Sequence, residues 1–487
     1  MTVVNSLIGA SALRRLALLA AAALLLAVAP LAGIASADDV DVTDAEDEEL
    51  GTIQVSDGDD LIPSIRFAGT GREDTARLIS GDPTDFAAQY ETGTVVLARG
   101  DDYPDALAGS YAAGQELAPI LLTPTDFVHP NLQLALDHWG DPADIEIVIL
   151  GGTAAISAEV EEDLEDMGYT VDRRGGATRI DTAAAVATAY DPADVGELDG
   201  MATAIVASAE NFPDALVAGA LSTSNNFPLL LTWQDELPDA TADALDDLEI
   251  EQVIIAGGTV AVSAGVETEL EGVVGDADNV RRVSGPNRFG TAVAFADMAV
   301  DELGFSQEHV NLATGRDFPD ALTLGPHAGL DYIGPSPILL TDLAMPPETG
   351  AHLESLADCG FESLHVAGGS AAISDELEQE AREALTTADA CPLLSAALTG
   401  DKEVPGPGQA DGAGVAFVVA DATAAQVCVD LSVDLDEVAA AAHIHTGAEG
   451  VAGGVVITLP TPDADGFASG CAGPDDGVDA DIVSDIV

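Results

Sequence analysis

Positive charge is what this sequence has least of. Against 86 Asp and Glu residues stand 15 basic ones, of which only Lys402 is a lysine, and the formal net charge is −71. A nucleic-acid binder needs a basic footprint to collect phosphates, so that class is excluded. Aromatic residues make up 4% of the chain, and the four cysteines are Cys359, Cys391, Cys428 and Cys471. None lies in a C-x-x-C pair, which argues against a zinc ribbon or a thioredoxin-like redox centre. Three disulfide pairings are open; proximity in sequence favours Cys359–Cys391 and Cys428–Cys471. Also missing are G-x-S-x-G, H-E-x-x-H, G-x-G-x-x-G, P-loop and complete EF-hand patterns, and any catalytic-cysteine signature. Those absences favour binding over catalysis and imply no cofactor.

What is present is largely apolar. With 47% hydrophobic and 21% charged residues, the composition is too apolar for a disordered acidic chain and sufficient for several cores. Acidity with almost no lysine suggests a surface kept hydrated in concentrated, halophilic salt. At about 1 M salt the Debye length falls to roughly 3 Å, and self-repulsion is largely screened. At the amino end, Arg14 and Arg15 precede an Ala/Leu/Val run over residues 16–32, and Ala35-Ser36-Ala37 follows. This pattern reads as a secretory signal peptide covering residues 1–37. A membrane anchor is the alternative, but the run is short for a span and acidic sequence follows it. The arginine pair leaves a twin-arginine export route open. Cleavage removes two arginines and no acids, moving the charge from −71 to −73. It leaves an acidic linker over 38–63 and no later segment able to span a bilayer.

A threefold internal repeat organises the middle of the chain. Arg66-x-x-Gly69-x-x-Arg72-x-x-Thr75-Ala76 returns with Arg173, Gly176, Arg179 and Thr182, and again with Arg282, Gly285, Arg288 and Thr291. An aromatic-Pro-Asp-Ala-Leu step starts at Tyr103, Phe212 and Phe318; its aspartates, Asp105, Asp214 and Asp320, are 109 and 106 residues apart. A Leu-Leu-Thr run ends at Thr123, Thr232 and Thr341. Strand-like runs then exit into double glycines, Gly151-Gly152, Gly257-Gly258 and Gly368-Gly369, ahead of Ser157, Ser263 and Ser374. Short apolar runs alternating with alanine-rich helical stretches imply an α/β fold with parallel sheets covered on both faces. The three serines sit where helix N-caps belong.

The order of these four motifs resembles the cell-wall-binding repeat type 2 family, which typically occurs in threes on exported surface proteins. The resemblance covers roughly residues 64 to 385 and implies repeats at 64–170, 171–279 and 280–390. It implies Rossmann-like parallel-sheet modules about a pseudo-threefold axis, anchoring the chain non-covalently to an anionic cell-wall polymer or another envelope polysaccharide.

Six of the arginines, Arg66, Arg72, Arg173, Arg179, Arg282 and Arg288, occupy the two arginine positions of the first motif. One reading is that they clamp phosphates or carboxylates of the polymer by bidentate hydrogen bonds. Another is that each pairs with a local carboxylate and fixes one module against the next. A division between the two positions is the third. The repeated aspartates suit helix starts; a two-carboxylate mechanism is not common to the copies, because Asp102 and Asp317 correspond to Asn211. Close passage of backbone explains the glycines better than a dinucleotide site.

From about Ser395 the periodicity changes. Val427, Val429, Leu431, Val433 and Leu435 alternate with Cys428, Asp430, Ser432, Asp434 and Asp436, as in a half-exposed antiparallel strand. Together with Leu398-Thr-Gly-Asp-Lys-Glu-Val-Pro405, Ala442-His-Ile-His445 and Gly453-Gly-Val-Val-Ile-Thr-Leu459, this region, 395–487, resembles the CHRD (chordin-like) domain. That resemblance implies a β-sandwich-like extracellular module. The family usually continues beyond the point where this chain stops, so a truncated domain is expected. His443 and His445 would project to one side of a strand, half of a copper or zinc site, or a structural hydrogen-bonding pair. The expectation is a non-enzymatic, exported surface protein with three wall-binding modules. A wall-associated hydrolase and a salt- or calcium-dependent adhesin are the alternatives.

Overall fold

The computed structural model describes residues 50, 52–56, 61–81, 93–103, 105–331, 334–356, 361, 363–386, 393–399, 409, 413–421, 426–434, 442–445, 455–462, 466–474, 477–478 and 482–483. The signal peptide, most of the acidic linker, Lys402 and the Cys359–Cys391 pair lie outside them. The chain forms two compact units, one of residues 47–354 with 363–384, the other containing 385–487.

The first unit is α/β, with three sheets whose parallel strands follow the same order; Glu197–Leu198 and Thr52–Ser56 add antiparallel edges to the second and third. In the first, Ile120–Thr123, Thr94–Arg99, Glu146–Leu150 and Thr170–Arg174 lie side by side. The second runs Leu229–Thr232, Met201–Ser208, Gln252–Ala256 and Val280–Val283. Runs such as Val95-Val96-Leu97-Ala98 and Val253-Ile-Ile-Ala256 are completely buried, because helices cover both faces and leave no polar side to alternate with. The last strand of each sheet comes from the following repeat. The third sheet, Ile338–Thr341, His309–Thr314 and Ser363–Ala367, has no following repeat, and Ser64–Ala68 from the first completes it. Leu364 pairs with Ser64 and Val366 with Arg66, so the chain closes a ring.

Helix starts follow local chemistry. Ser157, Ser263 and Ser374 accept hydrogen bonds from the amides of Val160, Val266 and Leu377, satisfying donors that the first helical turn leaves open. Pro213 and Pro319 open helices Pro213–Val217 and Pro319–Gly329. In the first copy residues 105–108 form a turn, and the helix Gly109–Glu116 begins afterwards.

These helices meet at the centre of the ring. Ser110, Gly219 and Gly325 each lie five residues after the motif aspartate. A Cβ on Gly219 would lie 2.9 Å from Ser110 Oγ, and one on Gly325 would lie 3.1 Å from the same oxygen. At Gly114 it would be 2.3 Å from the Thr223 carbonyl oxygen, and at Gly329 2.7 Å from that of Ala220. Helix backbones therefore touch directly, as only small residues allow. Thr223 Oγ1 donates to the Ser110 carbonyl across this contact at 2.8 Å.

The second unit is antiparallel. Leu393–Thr399, Ala413–Asp421, Gln426–Asp434 and Phe467–Ala472 form one sheet in that order, and Ala442–His445 pairs with Val455–Leu459. Val427, Val429 and Leu431 are buried and share a core with Ile457, Leu459 and Val483, so the hairpin packs on the sheet. Cys428 and Cys471 face each other in register and are bridged.

Two outcomes are expected. Gly114→Ala destabilises the first unit by about 1–3 kcal/mol in denaturant titration, although alanine favours an isolated helix by about 1 kcal/mol. Reduction of the Cys428–Cys471 bridge, which spans 43 residues, lowers stability of the second unit by on the order of 4 kcal/mol. Calorimetry should then show one transition moving and the other unchanged.

Candidate functional site

The arginine-glycine motif of each repeat is a single mechanical part. Its first arginine lies on the last strand of a sheet and reaches the double-glycine turn beside it. Arg66 Nη1 donates to the carbonyls of Gly368 and Ile373 at 3.0 and 2.8 Å, and its Nε to Glu378 at 2.7 Å. Arg173 does the same to Gly151 and Glu161, and Arg282 to Gly257 and Glu267. Arg66 is 2% exposed. These three side chains are committed to holding strand, turn and helix together. The motif glycine follows: a Cβ on Gly69, Gly176 or Gly285 would lie 2.2, 2.2 or 2.1 Å from atoms of the next helix. The motif threonine secures that approach, Thr182 and Thr291 accepting the amides of Gly176 and Gly285.

The second arginine behaves differently. Arg72, Arg179 and Arg288 are the first residues of helices Arg72–Ile79, Arg179–Ala187 and Arg288–Leu303. Each bridges two neighbouring modules. Arg72 lies 5.8 Å from the Phe318 ring and donates to the Gly100 carbonyl; Arg179 lies 5.6 Å from Tyr103 and donates to Ala209; Arg288 lies 5.9 Å from Phe212 and donates to Gly315. Such separations are within reach of cation–π attraction. The three rings are the aromatic residues of the Pro-Asp-Ala-Leu step. They form a triangle of centroid distances 5.3, 5.9 and 6.3 Å.

Arg72 also faces Asp317 at 3.5 Å. Arg179 and Arg288 make no ion pair among the described residues; one carbonyl is the hydrogen-bond partner of each. In a chain with 86 acids that is an unusual position for a guanidinium. Around Arg179 lies a cleft of about 340 Å³, lined by Asp105, Gly152, Gly176, Thr178 and Trp233 among others. It opens at the carboxyl ends of the first sheet's strands, where open α/β sheets bind ligands. An indole wall beside a cation and a carboxylate suits a charged sugar ring. Trp233 follows Thr232; Pro124 and Asp342 follow Thr123 and Thr341, so the copies differ at this wall. Neither Trp233 nor the aromatic seats of the arginines emerge from the sequence motifs as functional: Trp233 has no counterpart in the other copies, and only the fold sets the three rings against arginines of another repeat.

Asp105, Asp214 and Asp320 lie against the first glycine of each turn. Gly151, Gly257 and Gly368 have φ of 94°, 100° and 101°, a region that favours glycine. A Cβ there would lie 2.8, 2.3 and 2.5 Å from an aspartate oxygen. Gly152, Gly258 and Gly369 make the looser second half of the turns. Burial pushes the Asp214 carboxyl up, against the Thr291 hydrogen bond and the Arg288 charge. Burial pushes Asp320 up to about 6, helped by Asp317 and opposed by Arg72.

His443 and His445 are exposed on one face of the hairpin strand, ring centroids 5.9 Å apart, and no third metal-binding group joins them among the described residues. A different set, His327, Asp331 and His365, brings three potential ligand atoms within 4.8 Å of one another. These residues escaped the motif comparison because histidine does not recur between the copies.

The profile of the cell wall binding domain 2 (CWB2) matches residues 66–161, 173–267 and 282–378, and that of the CHRD domain matches 394–484. The N-acetylmuramoyl-L-alanine amidase LytC of Bacillus subtilis is 27% identical over 258 residues, 53% of this chain and 46% of that protein. The amidase enhancer of the same organism is 29% identical over 266 residues, 54% of this chain and 33% of its own length. The chain thus spans less than half the length of these two relatives. Among solved structures, Cwp8 from Clostridium difficile has a similar fold, with TM-score 0.55 at 24% identity over 66% of this chain and 51% of that one.

The raised Asp320 carboxyl has a measurable consequence. Its folded form holds a proton more tightly than the unfolded chain, whose value is near 3.8, so ionisation opposes folding. Its contribution to stability therefore rises as pH falls from about 6 toward 3.8 and is least favourable above 6. Asp320→Asn should raise stability near neutral pH by on the order of 2 kcal/mol relative to the wild type. That difference should vanish below about pH 4 in paired denaturant titrations.

Proposed function

Because the chain belongs to the cell wall binding domain 2 family, we propose that it is a non-catalytic surface protein held on the envelope through Arg72, Arg179 and Arg288. The observation that carries this reading is that half-buried Arg179 and exposed Arg288 each hydrogen-bond a carbonyl and make no ion pair among the described residues. Each stands at a helix N-terminus, where backbone amides and the helix dipole favour an anion. A phosphate or carboxylate of a wall polymer is the partner that such a position selects, and bidentate pairing with the guanidinium orients it. Arg66, Arg173 and Arg282 position the turns and leave ligand contact to the second arginines. Three weak sites on one ring raise affinity through effective concentration.

The resemblance to amidase LytC and the amidase enhancer spans roughly half of this chain, and we assign the shared part to wall binding. No catalytic motif accompanies it here. Export follows from the leader, and a salty habitat from the charge balance. In such a habitat the repulsion between an acidic protein and an anionic polymer is screened, whereas in dilute buffer it is not.

Sedimentation of the mature chain with purified envelopes tests the proposal. It should pellet better near 1 M salt than near 0.1 M, where the Debye length is about 10 Å, and stripping the anionic polymers should abolish pelleting. Arg179→Gln should weaken binding about ten- to a hundredfold, the scale of one charged hydrogen-bonded contact. A triple Arg72/Arg179/Arg288→Gln variant that keeps its circular dichroism should stay in the supernatant. Pelleting of that variant at the wild-type level would remove the clefts from the mechanism.

A further inference from the structure

The third module departs from its siblings in the core. Where the first module buries Ala112 and Val148, and the second Leu221 and Ile254, the third buries His327 and His365. His327 lies in the last turn of Pro319–Gly329, His365 in the middle of Ser363–Ala367, and Asp331 follows the helix. All three are buried, at 1%, 4% and 9% exposure. Buried polar groups need hydrogen-bond partners, which the two rings find in each other and in Ser363, whereas an apolar pair satisfies the same fold in the other two modules.

The atoms are disposed as ligands. His327 Nε2 and His365 Nδ1 face each other at 3.3 Å. Two nitrogens bound at about 2.0–2.1 Å to one tetrahedral ion stand about 3.3 Å apart. An Asp331 carboxylate oxygen lies within 4.8 Å of a ring nitrogen of each histidine. The second nitrogen of His365 is 3.2 Å from Ser363 Oγ, which is itself 3.2 Å from His309 Nδ1. An outer partner on the non-ligating nitrogen is the usual support of a metal-bound histidine, because it fixes tautomer and ring orientation. The Phe67 ring closes the cluster, with its centroid 5.2 Å from that of His327 and 6.4 Å from that of His365.

We propose that His327, His365 and Asp331 form a site for one divalent transition-metal ion of the zinc class, a structural staple of the third module. Two imidazoles and a carboxylate select zinc, cobalt or nickel over calcium or magnesium, which prefer oxygen. The position gives the staple a purpose. His365 lies on the strand that receives Ser64–Ala68, and Phe67 of that strand packs on both histidines. An ion there would tie the central helix to the seam where the ring closes.

The test uses the mature full-length chain, stripped with chelator and kept in molar salt. Titration with cobalt(II) should give the visible bands of a tetrahedral nitrogen and oxygen site, saturating at one ion per chain. Zinc(II) should displace the colour and raise the thermal midpoint of the α/β unit. His365→Val and His327→Leu introduce residue types found at this core position in the other modules, and should fold yet lose the bands and the zinc-dependent shift. Asp331→Asn, at the least buried ligand, should fold and bind at least tenfold more weakly. A double His443→Ala/His445→Ala variant should behave as wild type. Absence of tetrahedral bands in the wild type would overturn the proposal. So would bands that persist in both His365→Val and Asp331→Asn, or that vanish in the hairpin variant.

Discussion

Everything in the α/β unit depends on how closely three helix backbones approach at the centre of the ring. Gly114 against Thr223, Gly329 against Ala220, and the Ser110, Gly219 and Gly325 contact leave no room for larger side chains. That closeness draws the preceding residues together as well. Tyr103, Phe212 and Phe318 are consequently forced into one aromatic triangle. The triangle supplies each second arginine with a ring from one module while a strand-exit carbonyl comes from the next. The seats of the second arginines are thus a consequence of axial packing. Small residues at the axis set the geometry of cations several residues away.

Within each repeat the two arginines are specialised by distance from that axis. The first is enclosed between a turn and a helix carboxylate, where a guanidinium's fixed fork can satisfy a carbonyl and an acid at once. Losing either partner would leave a charge stranded in a poorly solvated place. The second is half-exposed or exposed and rests on a ring face, an environment that stabilises the cation without neutralising it. A carboxylate would do the opposite, as Asp317 begins to do for Arg72. Arg179 and Arg288 have no counterpart of that ion pair among the described residues, so the three arginine positions are alike in plan and unequal in pairing.

Much of this was legible in the sequence where the cause is local. The strand-helix alternation, the serine N-caps and the alternating strand around Cys428 are written in spacings of a few residues, and they stand where those spacings put them. A division of roles between the two arginine positions was one of three readings open in the sequence; which position does which was not legible, because Arg66 finds Glu378 312 residues away, and no spacing announces such a partner. Ring closure by Ser64–Ala68 is hidden for the same reason: each repeat lends its first strand to the sheet of the one before it. His327 and His365 were overlooked for a different cause. Comparing copies rewards recurrence, whereas these two matter by replacing apolar core residues that the other copies retain.

The charge of −71 and the anionic partner we propose would be reconciled by the different ranges of the two forces involved. Repulsion between the acidic surface and a polymer is summed over many charges separated by tens of ångströms of solvent, and it decays with the Debye length, about 8 Å at physiological salt and about 3 Å at 1 M. A guanidinium holding a phosphate does so through hydrogen bonds of about 2.7–2.9 Å, inside even the shorter of those lengths. Raising salt therefore removes the opposing term faster than the attractive one. Lysine would blunt this selectivity, because a mobile, strongly hydrated ammonium on the open surface gathers anions without orienting them. A surface with acids almost everywhere, and arginines retained where the fold seats them against rings and carbonyls, would confine the proposed polymer contact to the few places where geometry can select it.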